Sequence, residues 1–210
     1  MKLTSYNIKA LKIFVCNTEN WSTLDESRNA TVWCTESDLK MLDSIHNPKR
    51  RREILAVRYL LWQLGLKNEL YYEGRIPKLK NGQHISISHS KNLVVLAFSE
   101  EHPIGVDVEF MQSRARNVYE KFVHEKESVE FPRNCELKTT LLWSFKESVF
   151  KLIQEEGILF KEQIVIHRLE NGDYVAQIFT RRGNFEVPLG HRLINDYVLT
   201  FNTGDVQRQG

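Results

Sequence analysis

The sequence predicts a mixed α/β fold, of the α+β kind, made of two pseudo-symmetric halves. Each half is expected to be a small, mostly antiparallel sheet packed on one long helix, with the functional site at their interface. Three observations lead there. Two stretches, 49–64 and 137–155, carry apolar residues at helical spacing, while most of the remaining apolar residues fall in short alternating or continuous runs that suit strands. The halves also close on similar β tails, residues 91–98 and 195–201, each following a helix by a comparable distance. Finally, a half of about a hundred residues buries a modest core, so two such units, 1–102 and 103–210 with a boundary near Pro103, suit each other as partners.

At 210 residues, 41% hydrophobic and 27% charged, the composition is that of an ordinary globular chain. A net charge of +2 does not suit bulk coating of nucleic acid, although it hides local clusters. The cysteines, Cys16, Cys34 and Cys135, are odd in number and far apart, which indicates neither a disulfide framework nor a zinc cluster. Lys9 and Lys12 interrupt the N-terminal apolar run and Cys16-Asn17-Thr18 is a poor cleavage site, so no secretory leader is expected. No segment approaches the ~18 apolar residues of a membrane span. A cytoplasmic protein is expected.

The elements follow in order. Leu11 to Val15 has strand content, and residues 17–31 are polar and turn-rich. From Glu36, Leu39, Leu42 and Ile45 recur at helical spacing until His46-Asn47-Pro48 ends the run. Lys49-Arg50-Arg51-Arg52 then opens a helix that stops at Gly65. A basic first turn opposes the helix dipole, which makes sense where an anion docks; a solvated charged end is the plainer account. Leu70 to Tyr72 is a short strand before the basic, turn-rich loop 73–82. His84 to Ser90 and Leu93 to Phe98 form a hairpin, and Ser88-His89-Ser90 gathers donors suited to a phosphate.

After Glu100-Glu101-His102-Pro103 comes Ile104-Gly105-Val106-Asp107-Val108-Glu109. Strand alternation sends Val106 and Val108 into a core and Asp107 and Glu109 outward together. Two acids on one face stand roughly 6.5–7 Å apart at Cα, which leaves room for a hard cation such as Mg²⁺. A solvated acidic face is the bland alternative. A short helix is expected near 118–122, then the long one at 137–155, whose Leu142, Trp143, Val149, Phe150 and Ile153 form an apolar stripe. Glu147 and Lys151 are an i,i+4 pair on another face, shared with Thr140 and Ser144; such pairs are usually surface decoration. Strands at 164–166, 174–179 and 197–201 follow, with turns at 171–172 and 182–184, and 204–210 is expected to be a disordered tail.

Ile104-Gly105-Val106-Asp107-Val108-Glu109, followed by Trp143-Ser144-Phe145-Lys146-Glu147-Ser148-Val149-Phe150-Lys151, resembles the two-part signature of the 4′-phosphopantetheinyl transferases. Ser86-Ile87-Ser88-His89-Ser90 matches the family's upstream motif, in the right order. The length and the basic helix resemble the larger monomeric, surfactin-synthetase type. That resemblance implies transfer of the 4′-phosphopantetheine arm of coenzyme A to a serine of an acidic apo carrier protein, acyl or peptidyl, releasing adenosine 3′,5′-bisphosphate. It implies that Asp107, Glu109 and Glu147 hold Mg²⁺, with Mn²⁺ as the other candidate. Glu147 would be the general base. Lys151 would offset charge on the leaving group and, by pairing with Glu147, keep that carboxylate ionised. Arg51 and Arg58, seven apart and so on one helix face, would contact the 3′-phosphate, and Ser88 and His89 a phosphate group. Arg75, in Gly74-Arg75-Ile76-Pro77 where the family has Gly-Lys-Pro, would contact the nucleotide. A fatty acid synthase, polyketide synthase or peptide synthetase would supply the carrier. Neither nucleic acid nor membrane is an expected partner.

Two alternatives remain open on the residues alone. A nucleic-acid-binding module would use residues 49–52 with Arg58 but leaves the three acids without purpose. An inactive homologue of the same fold would keep the architecture without the chemistry.

Overall fold

Strands that pair antiparallel, interleaved with helices, make up the computed structural model, which describes residues 2–8, 10–21, 29–112 and 114–209. The fold is mixed α/β. By its contacts the chain divides into two units, Met1–Glu101 and His102–Gly210.

The first unit contains β1 (Lys2–Ile8), β2 (Leu11–Asn17), α1 (Glu36–Asp43), α2 (Pro48–Gln63), β3 (Leu70–Glu73), β4 (Ile76–Leu79), β5 (His84–Ser90) and β6 (Leu93–Ser99). Four strands form a sheet in the order β1-β2-β6-β5, and β3 and β4 make a separate hairpin. Thr35 and Asp38 form a reciprocal capping box that starts α1. Asn47 Oδ1 accepts the Arg50 N–H and Pro48 occupies the first turn of α2, where a missing N–H costs nothing. Leu55, Leu60 and Leu61 of α2 then pack on Ile85, Val94 and Leu96 of the sheet.

The second unit contains β7 (Val106–Phe110), α3 (Arg114–Asn117), α4 (Tyr119–Phe122), a 3₁₀ turn (Glu125–Glu127), α5 (Glu136–Ile153), α6 (Phe160–Gln163), β8 (Ile164–Arg168), β9 (Tyr174–Thr180), β10 (Gly183–Ile194), β11 (Tyr197–Asn202) and β12 (Gln207–Arg208). Its sheet runs β7-β11-β10-β9-β8, with β12 on β10. Helix α5 lies on β7 and β11. Leu142, Phe145 and Val149 of α5 enter a core with Ile164, Ala176, Ile178, Val187 and Val198. None of the described helices is long and apolar enough to cross a membrane.

Several expectations change. Strand β1, too polar to be anticipated, pairs with β2 along its whole length. Strand β10 was hidden by Pro188, Gly183 and Gly190, residues that argue against a strand interior. Gly190 is needed there, because a Cβ would stand 2.6 Å from the Phe201 ring. The stretch 204–210, expected to be disordered, holds β12, which pairs with Phe185 and Glu186. Of the polar stretch 17–31, residues 22–28 lie outside the described residues and 29–33 are helical.

Candidate active site

Gly105 brings the site together. A Cβ on this residue would lie 2.0 Å from the Ser148 carbonyl oxygen, so the backbone of α5 approaches the start of β7 as only glycine permits. Asn202 Oδ1 accepts the Gly105 N–H at 2.9 Å and holds that end of the strand. The acidic face of β7 is therefore turned toward α5, not outward to solvent as expected. Asp107 is 4% exposed. Its carboxylate accepts from Ser144 Oγ at 2.8 Å on one oxygen and from Lys151 Nζ at 2.8 Å on the other. Lys151 Nζ also donates to the Val106 carbonyl at 3.1 Å. Glu109, two residues on, accepts from the Trp143 indole N–H at 3.1 Å.

Helical spacing puts Thr140, Ser144, Glu147 and Lys151 on one face of α5. Glu147 is half-buried there. Burial, then the nearby charge of Asp107, raises its pKa to about 7; Lys151 opposes the rise and Glu109 adds to it. The expectation that Lys151 would pair with Glu147 and keep it ionised is thus corrected. The lysine reaches past Glu147 to Asp107, and Glu147 is left poised near neutrality.

Asp107 pairs with Lys151, and Glu147 feels the charges of Asp107, Lys151 and Glu109. Carboxylate oxygens are the donor type that a hard divalent cation takes. Among the described residues, however, no three His, Cys, Asp or Glu side chains stand close enough together to hold a metal ion as they are placed. The residues fit such an ion in charge and donor type, with Lys151 holding one Asp107 oxygen in the structure as it stands.

Lys146, the other motif lysine, has a different place. It is fully buried, pairs with the equally buried Glu127 at 2.8 Å, and donates to the carbonyls of Phe122 and Phe160. Glu127 accepts the backbone N–H groups of Ile166 and His124. This satisfied network ties α4, the 3₁₀ turn, α6 and β8 to α5. Sequence reading alone also missed Gly105, Trp143 and Ser144 as positioning groups. The signal was available: both α5 residues lie within one turn of Glu147, and Gly105 opens the acidic strand.

In the first unit, Glu53 of α2 is the centre. It is buried and takes Arg50 at 3.3 Å, Lys49 at 3.9 Å and His89 Nδ1 at 3.2 Å. Arg50 Nη1 meets the other ring nitrogen of His89 at 3.3 Å, so in the neutral ring Nδ1 donates and Nε2 accepts. Beside this group a cavity of about 240 Å³ is lined by Thr18, Lys49, Arg52, Glu53, Lys91 and Asn92. Ser88 is buried and, by strand alternation, faces away from His89, so the two do not present their side chains to one point. Arg75 is exposed at the tip of the β3–β4 hairpin.

Arg51 and Arg58 do share a face, but it is turned to α1. Arg58 forms a buried pair with Asp38 at 2.6 Å, and Arg51 donates to the Leu42 carbonyl. Both guanidinium groups are committed to holding α1 on α2, which corrects their expected place at a phosphate.

The comparisons with known proteins bear on the second unit first. The model of the 4′-phosphopantetheinyl transferase superfamily matches residues 103–202. A 109-residue stretch is 33% identical to 4′-phosphopantetheinyl transferase gsp of Aneurinibacillus migulanus, covering 48% of this chain and 46% of that protein. A 112-residue stretch is 31% identical to 4′-phosphopantetheinyl transferase ffp of Bacillus subtilis, covering 50% of this chain and 48% of that protein. The chain spans about half the length of these relatives in the match. The superfamily match takes in just under half of the chain, and the motif carboxylates on β7 and α5 lie inside it; over this stretch the chain is similar to 4′-phosphopantetheinyl transferases.

Proposed function

We propose that the chain transfers the 4′-phosphopantetheine arm of coenzyme A to a serine of an apo carrier protein, leaving adenosine 3′,5′-bisphosphate. The observation that carries this is Glu147 of α5 standing within electrostatic reach of Asp107, Glu109 and Lys151, with Lys151 paired to Asp107. Phosphoryl transfer asks chiefly for positioning and charge neutralisation, and this cluster supplies the anchors for both. Asp107, Glu109 and Glu147 would hold Mg²⁺, with Mn²⁺ as the alternative. When bound, the ion polarises the phosphate under attack and steadies the leaving phosphate.

Glu147 takes the proton of the carrier serine, directly or through a water. In the metal-free chain burial and Asp107 raise the pKa of Glu147 to about 7, and an ion bound beside it would favour the carboxylate, the form that accepts a proton. Lys151 moves between Asp107 and the leaving phosphate, where its charge offsets the growing negative charge. Trp143 and Ser144 orient Glu109 and Asp107 through the hydrogen bonds they donate. In the first unit, Lys49, Arg52 and Lys91 at the basic cavity take the 3′-phosphate of coenzyme A, with His89 supporting a phosphate from beside Glu53. Arg75 reaches the nucleotide from its hairpin. The carrier is acidic, the enzyme works as a monomer, and the setting is cytoplasmic.

The test is mass spectrometry of apo carriers from fatty acid, polyketide and peptide synthetases, each incubated with the chain, coenzyme A and Mg²⁺. A gain of one phosphopantetheine arm is expected on at least one carrier. No gain on any of them would defeat the proposal.

A further inference from the structure

Lys146 stands one residue before Glu147 on α5, but its side chain is turned into the core. Its ammonium carries three protons and meets three acceptors: the Glu127 carboxylate at 2.8 Å, the Phe122 carbonyl at 2.7 Å and the Phe160 carbonyl at 2.9 Å. Both side chains of the pair are wholly buried. A buried ion pair is seldom a net source of stability, since apolar groups of similar volume often serve as well. What such a pair adds is direction, because each proton needs its acceptor in one place.

The two carbonyls belong to short elements. Helices α4 and α6 have four residues each, too few to stay helical without tertiary support. Phe122 closes α4 and Phe160 opens α6, so one ammonium fixes the end of the first and the start of the second. The rings of these same residues pack on Trp143, three residues before Lys146. Phe122 meets the indole edge-on at 5.1 Å between centroids, and Phe160 meets it at 5.6 Å with the planes tilted by 42°. The indole N–H in turn donates to Glu109 Oε1 at 3.1 Å. A chain of contacts therefore runs from the buried ammonium to a carboxylate of β7.

We propose that Lys146 is a positioning residue for Glu109. By holding the Phe122 and Phe160 carbonyls it sets the two rings against which Trp143 packs, and so the direction from which the indole reaches the carboxylate. The inference rests on the transferase function proposed above, in which Glu109 is one holder of the divalent ion. Groups that orient a metal ligand govern affinity for the ion without touching it.

The test uses the full chain with isotope-labelled tryptophan, so that NMR reads each indole N–H, together with Mn²⁺ titration followed by electron paramagnetic resonance. Of the four tryptophans, Trp21, Trp33 and Trp62 lie in the first unit and serve as internal controls. Lys146→Met is combined with Glu127→Gln so that no lone charge is left buried. This variant should shift the Trp143 signal upfield, leave the other three in place, and bind Mn²⁺ about five-fold more weakly. Trp143→Phe should weaken Mn²⁺ binding about ten-fold, and adding it to the first variant should weaken it no further than Trp143→Phe alone, because both act through one hydrogen bond. Phe160→Leu, which leaves the ion pair intact, should move the same signal and lower Mn²⁺ affinity about three-fold; it carries the test if the first variant does not fold. The inference is overturned if the Trp143 signal and the Mn²⁺ affinity stay at wild-type values in a folded variant while only Tm falls. It is also overturned if the losses from Trp143→Phe and from the Lys146→Met variant multiply. A wild type that takes up no Mn²⁺ removes the ion from the transferase function and this inference with it, whereas equal uptake by wild type and variants sinks the inference alone.

Discussion

In the first unit Arg58 of α2 meets Asp38 of α1 at 2.6 Å; in the second Lys151 of α5 meets Asp107 of β7 at 2.8 Å. Both carboxylates are buried, at 7% and 4% exposure, and both cations lie on the long helix of their unit. The surroundings differ. Asp38 faces one guanidinium and is hydrogen-bonded by Thr35. Although burial pushes its pKa upward, those bonds and Arg58 outweigh it and hold the carboxyl below its usual range. Asp107 pairs with Lys151, yet burial and then the Asp107 charge still raise the pKa of the neighbouring Glu147 to about 7. A balanced buried pair locks two helices together; an unbalanced one stores charge for a ligand to neutralise.

Replacing the unbalanced group should have the largest effect. Glu147→Gln is expected to lower turnover about a thousand-fold while leaving the Kd for coenzyme A within about three-fold, measured by steady-state kinetics and calorimetry. Full activity in this variant would remove Glu147 as the base. The balanced pair should answer the opposite way. Asp38→Asn leaves Arg58 buried without its counter-charge and should cost about 3 kcal/mol in urea unfolding, with turnover of the remaining folded enzyme nearly unchanged.

Gly105→Ala tests the approach that assembles the second site. Either α5 or β7 must give way, so a loss of about 2 kcal/mol and a fall in turnover of about ten-fold are expected together. A variant that kept its Tm would show that the close approach is unimportant.

The imbalance also has a pH signature in metal-free protein. Because the folded pKa of Glu147 lies above its unfolded value of about 4.5, folding is unpenalised below that value and loses stability as pH rises toward about 7. The wild type should therefore lose on the order of 2 kcal/mol relative to Glu147→Gln between pH 5 and pH 8, read as a difference in unfolding free energy in the presence of a chelator. Mg²⁺ should shrink that difference. Smallest of all, Arg52→Ala should weaken adenosine 3′,5′-bisphosphate binding about ten-fold, roughly 1.4 kcal/mol.

Much of this was legible in the order of residues. Strands β5, β6, β7 and β11 and helices α2 and α5 follow from alternation and from 3.6-residue spacing. The acids of the candidate site were marked by their motifs. Strands β1 and β10 were not legible, because neither carries the run of apolar, β-branched residues that announces a strand. Gly190 in β10 is explained only by the Phe201 ring from β11, a neighbour that the local sequence does not mention. Arg51 and Arg58 show the same limit in the site. Their spacing correctly put them on one helix face, but nothing local to α2 says that α1 covers it.

The sequence by itself determined which side chains share a face: Asp107 with Glu109, and Thr140, Ser144, Glu147 and Lys151 along α5. Backbone periodicity is local, so residue spacing suffices for that. Only the tertiary structure decided which partner each face meets. It gave Lys151 to Asp107 and not to Glu147, turned Arg58 to Asp38, and buried Lys146 on Glu127. Those choices depend on the reach and direction of long side chains between elements far apart in the chain, and on how much water each carboxylate loses there.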